Sequence, residues 1–297
     1  MRLLCDMVTS IEPRPDGVPH VGALLREWRA KRKLSQLALS LAADVSQRHV
    51  SFVESGRTRP SREMVLRLAE QLDMPLRERN RLLLAAGFAP SFPEHGFDHP
   101  SLTAARVAVE RVLSAHEPFP ALAVDRHWTL VAANGAASAL LAGASPALSS
   151  PPVNVLRLSL HPDGLAPRIV NYAQWRAHVL ERLHRQVAAS GDDALAALHD
   201  ELRGYPPPRG SAARGLPAVA SEAANVFVPL QLAGDAGVLS FLSTTTVFGT
   251  PVDVTLAELA LECFFPADEE TAASLRGAAE TANDGYARAA ASSRAST

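Results

Sequence analysis

The side chains of Ser46-Gln47-Arg48-His49 and Ser51-Phe52 suit contact with a nucleic acid better than catalysis. Arginine can bridge O6 and N7 of guanine, glutamine can bridge N6 and N7 of adenine, and an apolar ring can touch the thymine methyl. Arg48 and Gln47 offer the first two groups. Phe52, one helical turn beyond Arg48, offers the third, although simple packing would explain it equally well. His49 and Ser51 can reach phosphates or further bases. Upstream, Gln36 stands where a helix start presents a backbone amide and a side chain to phosphate. Downstream, Arg57 and Arg59 can grip the neighbouring strand. The run Arg26, Arg29, Lys31, Arg32 and Lys33 adds phosphate candidates, for which a solvated helix face is the competing reading.

Those residues need short helices to hold them, and the pattern supplies five. A helix over about Val21–Lys33 places Leu24, Leu25 and Trp28 on one face. Ser35 is a suitable N-cap for a second helix, and Asp44-Val45 makes a short turn. Ser46 caps a third helix over about Gln47–Ser55, with Gly56 as its C′ residue. Ser61 caps a fourth, and a fifth runs from Pro75 to Ala86. A capped helix, a tight turn and a second capped helix form the helix-turn-helix arrangement, in which the N-terminal residues of the second helix meet base edges. Charge agrees: residues 1–90 carry a net +5 and the remainder a net −7, within a whole-chain formal charge of −2 over 297 residues.

The stretch LLREWRAKRKLSQLALSLAADVSQRHVSFVESGRTRPSREMVLRLAEQLDMP (24–75) resembles the Xre/Cro family of repressor-like helix-turn-helix domains. Leu34-Ser35-Gln36, Val45-Ser46, Val50-Ser51, Val53-Glu54, Gly56-Arg57 and Pro60-Ser61 carry the resemblance. It implies a structural role for Glu54, tying the third helix to the following loop. Ala43-Asp44 departs from the glycine common at that turn, but aspartate tolerates left-handed geometry.

The second half changes period. Ala121–Asp125 and Trp128–Ala132 read as two short strands around a turn, followed by a small-residue helix over Asn134–Leu141. Val153–Leu160 alternates like a strand, though a helix there competes. Asn171–Ala189 is an amphipathic helix, and Asp192 caps another. Val226, Val228, Leu230 and Leu232 alternate, Gly234–Gly237 makes a hairpin turn, and Val238–Val247 returns. A last strand lies within Val252–Phe265, with a helix competing over Leu256–Glu262. An antiparallel sheet with helices on one face follows.

PALAVDRHWTLVAANGAASALLAG (120–143) resembles the opening of a PAS-type sensor module. Together with VNVLRLSLHPDGLAPRIVNYAQWRAHVLERLHRQ (153–186), FGTPVDVTLAELALECFFPAD (248–268) and LLLAAGFAP (82–90), the chain is similar to the MmyB-like transcription regulators. That resemblance implies a bacterial regulator whose PAS-like domain binds a small apolar ligand, a fatty acid being one candidate. Such a site is an apolar pocket with a few polar groups for a headgroup. The wall candidates are Trp128, Tyr172, Trp175, Phe227 and Phe241, with ordinary core packing as the alternative for each. The headgroup candidates are Arg157, Asn134, Asn171 and His161. An arginine within an apolar stretch needs an anionic partner, which a ligand or an internal carboxylate can supply. Asn134 serves equally as a helix N-cap.

Enzyme classes are poorly served. There is no phosphate-binding lysine loop, no Gly-x-Ser-x-Gly, no His-Glu-x-x-His and no dinucleotide fingerprint, so no catalytic residue and no cofactor are expected. His178 and His184 diverge by about 240° around a helix of 3.6 residues per turn, which argues against a metal site. Cys5 and Cys263 make neither a disulfide framework nor a zinc pattern, and no apolar run is long enough to span a membrane. A cytoplasmic setting fits. The expected fold class is α+β: an all-α five-helix domain followed by a PAS-like α/β domain with an antiparallel sheet. The expected boundaries are a loose arm at 1–18, the helix-turn-helix domain at 19–90, a linker at 91–104, the sensor domain at 105–268 and a frayed tail at 269–297. The expected partners are a double-stranded DNA operator, a small-molecule ligand and a second copy of the chain.

Overall fold

The computed structural model describes residues 20–208, 227–234 and 237–294, with side chains as far as residue 281. The expected arm, Val226 and the middle of the 234–237 turn lie outside the described residues. The chain divides between Pro93 and Glu94 into two units.

The first unit is five helices: α1 (Val21–Lys31), α2 (Gln36–Ala42), α3 (Gln47–Glu54), α4 (Arg62–Gln71) and α5 (Leu76–Ala85). Ser35, Ser46 and Ser61 each accept a hydrogen bond from the amide three residues on, at 3.0, 3.2 and 3.2 Å. Each cap satisfies one of the amides that a helix start leaves without a partner. The α2–α3 turn puts Asp44 at φ 52°, the left-handed geometry that aspartate tolerates. Trp28, Leu39, Val50, Val53, Leu68 and Leu82 form the buried centre. Gly22 is required where it stands, because a Cβ there would run into the carbonyl oxygens of Val53 and Glu54.

The second unit holds a five-stranded antiparallel sheet of order β2-β1-β5-β4-β3. The strands are β1 (Ala121–Val124), β2 (Leu130–Ala133), β3 (Leu230–Gly234), β4 (Gly237–Val247) and β5 (Ala260–Pro266). Its helices, in chain order, are α6 (Thr103–Ala115), α7 (Gly135–Leu141), α8 (Pro146–Ser149), α9 (Val155–Leu160), α10 (Tyr172–Ser190), α11 (Asp193–Gly204), α12 (Val254–Ala257) and α13 (Glu269–Arg294).

Several expectations need correction. Both sheet faces are covered, not one. Leu122 and Val124 of β1 join the core built with α10 and α11, while Ala121 and Ala123 join Val109 and Leu113 of α6 on the opposite face. Within 153–160, Val155–Leu160 is helix, and Asn154 caps it by accepting from the amides of Leu156 and Arg157. The competing helix near 256–262 is only α12, and β5 takes the rest. The expected linker belongs largely to the second unit: His95 Nδ1 lies 2.7 Å from Asp253 Oδ2, and the His95 carbonyl accepts from Thr255 Oγ1 at 2.6 Å. The expected frayed tail begins as α13, where Thr271 and Ala272 are buried and Glu269 and Glu270 occupy the first turn. Alanine has the best intrinsic helix propensity, and acidic residues favour a helix N-terminus.

Candidate nucleic-acid interface and ligand cavity

Glu54 fixes α3. Its side chain is about 1% exposed and meets Arg29 of α1 in a two-pronged pair, Nε to Oε1 at 2.7 Å and NH2 to Oε2 at 2.9 Å. Gln36 of α2 donates to Oε2 at 2.8 Å, and Arg26 donates to the Glu54 carbonyl at 3.1 Å. Burial pushes the Glu54 carboxyl upward, but the bonds from Arg29 and Gln36 and the charges of Arg29 and Arg26 prevail and hold it below its ordinary value. One carboxylate thus joins three helices. Its partners differ from the expected one, since they lie on α1 and α2 and not on the loop after α3.

The same network withdraws candidates from the phosphate set. Arg29 also donates to the Leu34 carbonyl at 2.8 Å. Arg32 donates to the carbonyls of Leu72 and Asp73 at 2.8 and 2.6 Å. Lys31 pairs with Glu27 at 2.9 Å. These charges stitch the unit together, and the Gln36 side chain is committed to Glu54. Ser46 is committed as the cap of α3.

Along the start of α3, Gln47 and Arg48 are exposed and His49, Ser51 and Phe52 half-buried, while Val50 and Val53 are buried. Arg48 and Arg57 both approach the Phe52 ring, at 5.1 and 5.7 Å from its centroid. A cation over a ring face is attracted by its quadrupole. Phe52 therefore acts as a platform that holds two exposed guanidinium groups on one side of α3. Arg59 is exposed beyond them.

In the second unit a cavity of about 820 Å³, its mouth included, lies between the sheet, α7, α9 and α10. Trp128, Trp175, Leu156, Val179 and Phe264 make much of its wall, and its polar groups are Ser159, His178, Arg182 and Glu262. Trp175, His178 and Arg182 are spaced i, i+3 and i+7 along α10, so they share a face. Glu262 sits mid-strand in β5, between Leu261 and Cys263, which face α6. Arg182 and Glu262 pair at 2.6 and 3.0 Å, and Thr245 of β4 bonds both. The Arg182 guanidinium lies 4.5 Å from the Trp128 ring centroid. Trp128 reaches inward from a left-handed turn residue, φ 67°, and its Nε1 donates to Gln186 at 2.9 Å. Burial first, then the charges of Arg182 and Arg185, lower the His178 pKa, which favours the neutral ring.

A model of the MmyB-like transcription regulator ligand binding domain matches residues 105–278, more than half of the chain, and a helix-turn-helix model matches residues 25–79. The chain belongs to the MmyB-like transcription regulators. It is accordingly a DNA-binding regulator carrying a ligand-binding domain, and its families are regulatory. Among solved structures, the restriction-modification controller protein C.AhdI from Aeromonas hydrophila is 36% identical, with 20% of this chain and 89% of that chain covered and a TM-score of 0.19. None of the curated proteins matches.

Of the expected ligand contacts in this MmyB-like regulator, Trp128 and Trp175 line the cavity and the others do not. Arg157 turns outward from α9 into an exposed pair with Glu201 at 2.7 Å. Successive positions on a helix are about 100° apart, so Arg157 faces outward while Leu156 and Leu158 are buried. Asn134 caps α7 and is saturated: Oδ1 accepts from Ala121 and Ala137, and Nδ2 donates to the carbonyls of Leu113 and Phe119. Asn171 clips α10 to β3 by donating to the Pro229 carbonyl and accepting from Gln231. Tyr172 donates to the Leu160 carbonyl from within the core, Phe241 is wholly buried, and Phe227 is exposed. His161 lies against Tyr205. The residues that sequence reasoning missed are Ser159, His178, Arg182 and Glu262. Two signals were available: a histidine and an arginine on the Trp175 stripe, and a glutamate inside an apolar strand. Among the described residues no cluster could hold a metal ion, and no helix is long and apolar enough to cross a membrane.

Proposed function

We propose that the protein is a sequence-specific regulator that acts in the cytoplasm, binds its operator as a homodimer, and changes DNA affinity when a small apolar molecule fills the cavity of the second unit. The observation that carries this reading is the start of α3. Gln47 and Arg48 are exposed on a helix that Glu54 and the Ser46 cap hold in place, and among the described residues neither side chain has a hydrogen-bonding partner. In this reading Gln47 and Arg48 meet base edges, with His49, Ser51 and Phe52 beside them, and Arg57 and Arg59 hold phosphates. Gln36 and Ser46 contribute through the helix starts they occupy. A two-fold dimer calls for half-sites one helical turn apart, about 34–36 Å.

The cavity supports the sensing part. Its wall is apolar with few polar groups, the make-up of a small-molecule site. An acyl chain suits it. A ligand that favours one conformation of this unit shifts the population competent for DNA.

Selection from random duplexes with the full chain tests the reading. The expected result is a near-palindromic site, whose specificity relaxes at one position per half-site in Arg48→Ala. Enrichment of no sequence, or the same sequence preference in the variant, would contradict it. A DNA affinity indifferent to every bound ligand would instead make the second unit a dimerisation or partner module.

A further inference from the structure

The charge inside the cavity wall restricts what can enter. Among the described residues Arg182 and Glu262 are its only charged lining groups, and each pairs with the other. Glu262 is about 4% exposed. Its Oε1 accepts from Arg182 NH2 at 2.6 Å and from Thr245 Oγ1 at 2.9 Å, and its Oε2 accepts from Arg182 NH1 at 3.0 Å. Thr245 Oγ1 in turn accepts from Arg182 NH2 at 2.7 Å. The guanidinium face is covered by Trp128. The cluster is therefore neutral overall, with no cation waiting for a counter-ion.

A carboxylate ligand has two ways in, and both are unfavourable. It can displace Glu262 from Arg182, which leaves a buried carboxylate without its partner. Or it can share Arg182 with Glu262, which puts two anions beside one guanidinium in apolar surroundings. An uncharged polar group meets neither obstacle. Ser159 Oγ accepts from Trp175 Nε1 at 3.0 Å, which leaves its own hydroxyl hydrogen to donate. His178 is stacked on Trp175 with ring centroids 5.5 Å apart, and neither ring nitrogen has a hydrogen-bonding partner among the described residues. A neutral imidazole offers one donor and one acceptor. Burial and the neighbouring arginine charges favour that neutral form.

We infer that this cavity selects an uncharged apolar molecule bearing one small hydroxyl or carbonyl group, read by Ser159 and His178, and discriminates against the corresponding carboxylate through the Arg182–Glu262 pair. The inference rests on the ligand-binding reading given above and narrows it: an alcohol, ketone or ester with a long apolar tail is favoured over a free fatty acid.

Isothermal titration calorimetry of the full chain at pH 8, with 1-decanol and with sodium decanoate, tests it. The expected result is at least ten-fold tighter binding of 1-decanol. In Glu262→Gln, which removes the anion and leaves the Arg182 charge unmet, decanoate should gain at least ten-fold relative to 1-decanol. Decanoate binding as tightly as 1-decanol to the unmodified protein would overturn the inference while leaving the cavity reading intact. Binding of neither probe by protein whose circular dichroism shows it folded would overturn both. Should the variant fail to fold, the comparison on the unmodified protein decides alone.

Discussion

Among the described residues each unit buries one glutamate against one arginine, and the two pairs stand in different places. Glu54 and Arg29 lie inside the helical unit, where Gln36 completes the network and joins α1, α2 and α3. Glu262 and Arg182 lie on the wall of a cavity, with Thr245 as third member. The first pair leaves no room for a ligand, and its function is to present the outer face of α3 without taking part in contact. The second borders open space, so the same chemistry becomes a filter on what the space accepts. A buried ion pair holds architecture or sets selectivity according to what lies on its far side.

The largest expected effect breaks the first pair. Glu54→Ala leaves Arg29 without its carboxylate, and removing one member of a buried pair costs about 3–5 kcal/mol. Denaturant unfolding of the full chain should show the transition of the helical unit move to lower denaturant while that of the second unit stays. The pH dependence has a definite sign. The folded Glu54 carboxyl is held below its ordinary value, so its contribution is present above the usual carboxylate range and is lost as pH falls through its depressed folded value. Glu54→Ala should flatten the acid limb of the helical unit's stability curve, and an unaltered acid limb would remove Glu54 from this role.

Arg48→Ala comes next. A bidentate arginine contact discriminates bases by about 1–3 kcal/mol. Affinity for a selected site should fall accordingly in a gel-shift titration, with unfolding unchanged because Arg48 is exposed. A loss of stability matching the loss of affinity would make Arg48 a packing residue. Ser46→Ala is smaller, about 1 kcal/mol for loss of a helix cap, and should appear as a modest fall in the thermal midpoint of the helical unit. The smallest effect is expected of Arg157→Ala. Its pair with Glu201 is exposed, and such pairs contribute about 0–1 kcal/mol. Calorimetry should give the same ligand affinity, and a clear loss would return Arg157 to the site.

The two regions also differ in how much the sequence reveals. The helical unit is built from neighbours: Ser35, Ser46 and Ser61 cap their own helices, Gly56 ends α3, and the reading face needs only one helix and its phase. Local pattern therefore placed Gln47 and Arg48 at the start of α3, where the structure exposes both. Even there, the roles of Arg29 and Arg32 depended on partners 25 and 40 residues away, and both arginines turned out to be internal ties. The cavity is assembled across larger distances. Arg182 and Glu262 are 80 residues apart, and no spacing rule brings α10 to β5. Asn134 and Asn171 looked like headgroup ligands because a buried asparagine must bond to something, and composition does not say whether that is a ligand or the backbone. Asn134 proved to be fully used by backbone groups, and both side-chain bonds of Asn171 go to backbone. The strand alternation at Leu156, Leu158 and Leu160 was overridden by the Asn154 cap, and Arg157 found its anion in Glu201, 44 residues away.

The central claim is that occupancy of the cavity changes DNA binding. It is tested most directly by measuring the affinity of the full chain for its selected duplex with and without 1-decanol at a concentration that calorimetry shows to be saturating. A shift of several-fold in either direction is predicted, with the reciprocal shift in 1-decanol affinity when DNA is saturating, as linkage requires. An affinity for DNA that stays the same while the cavity is demonstrably filled would contradict it.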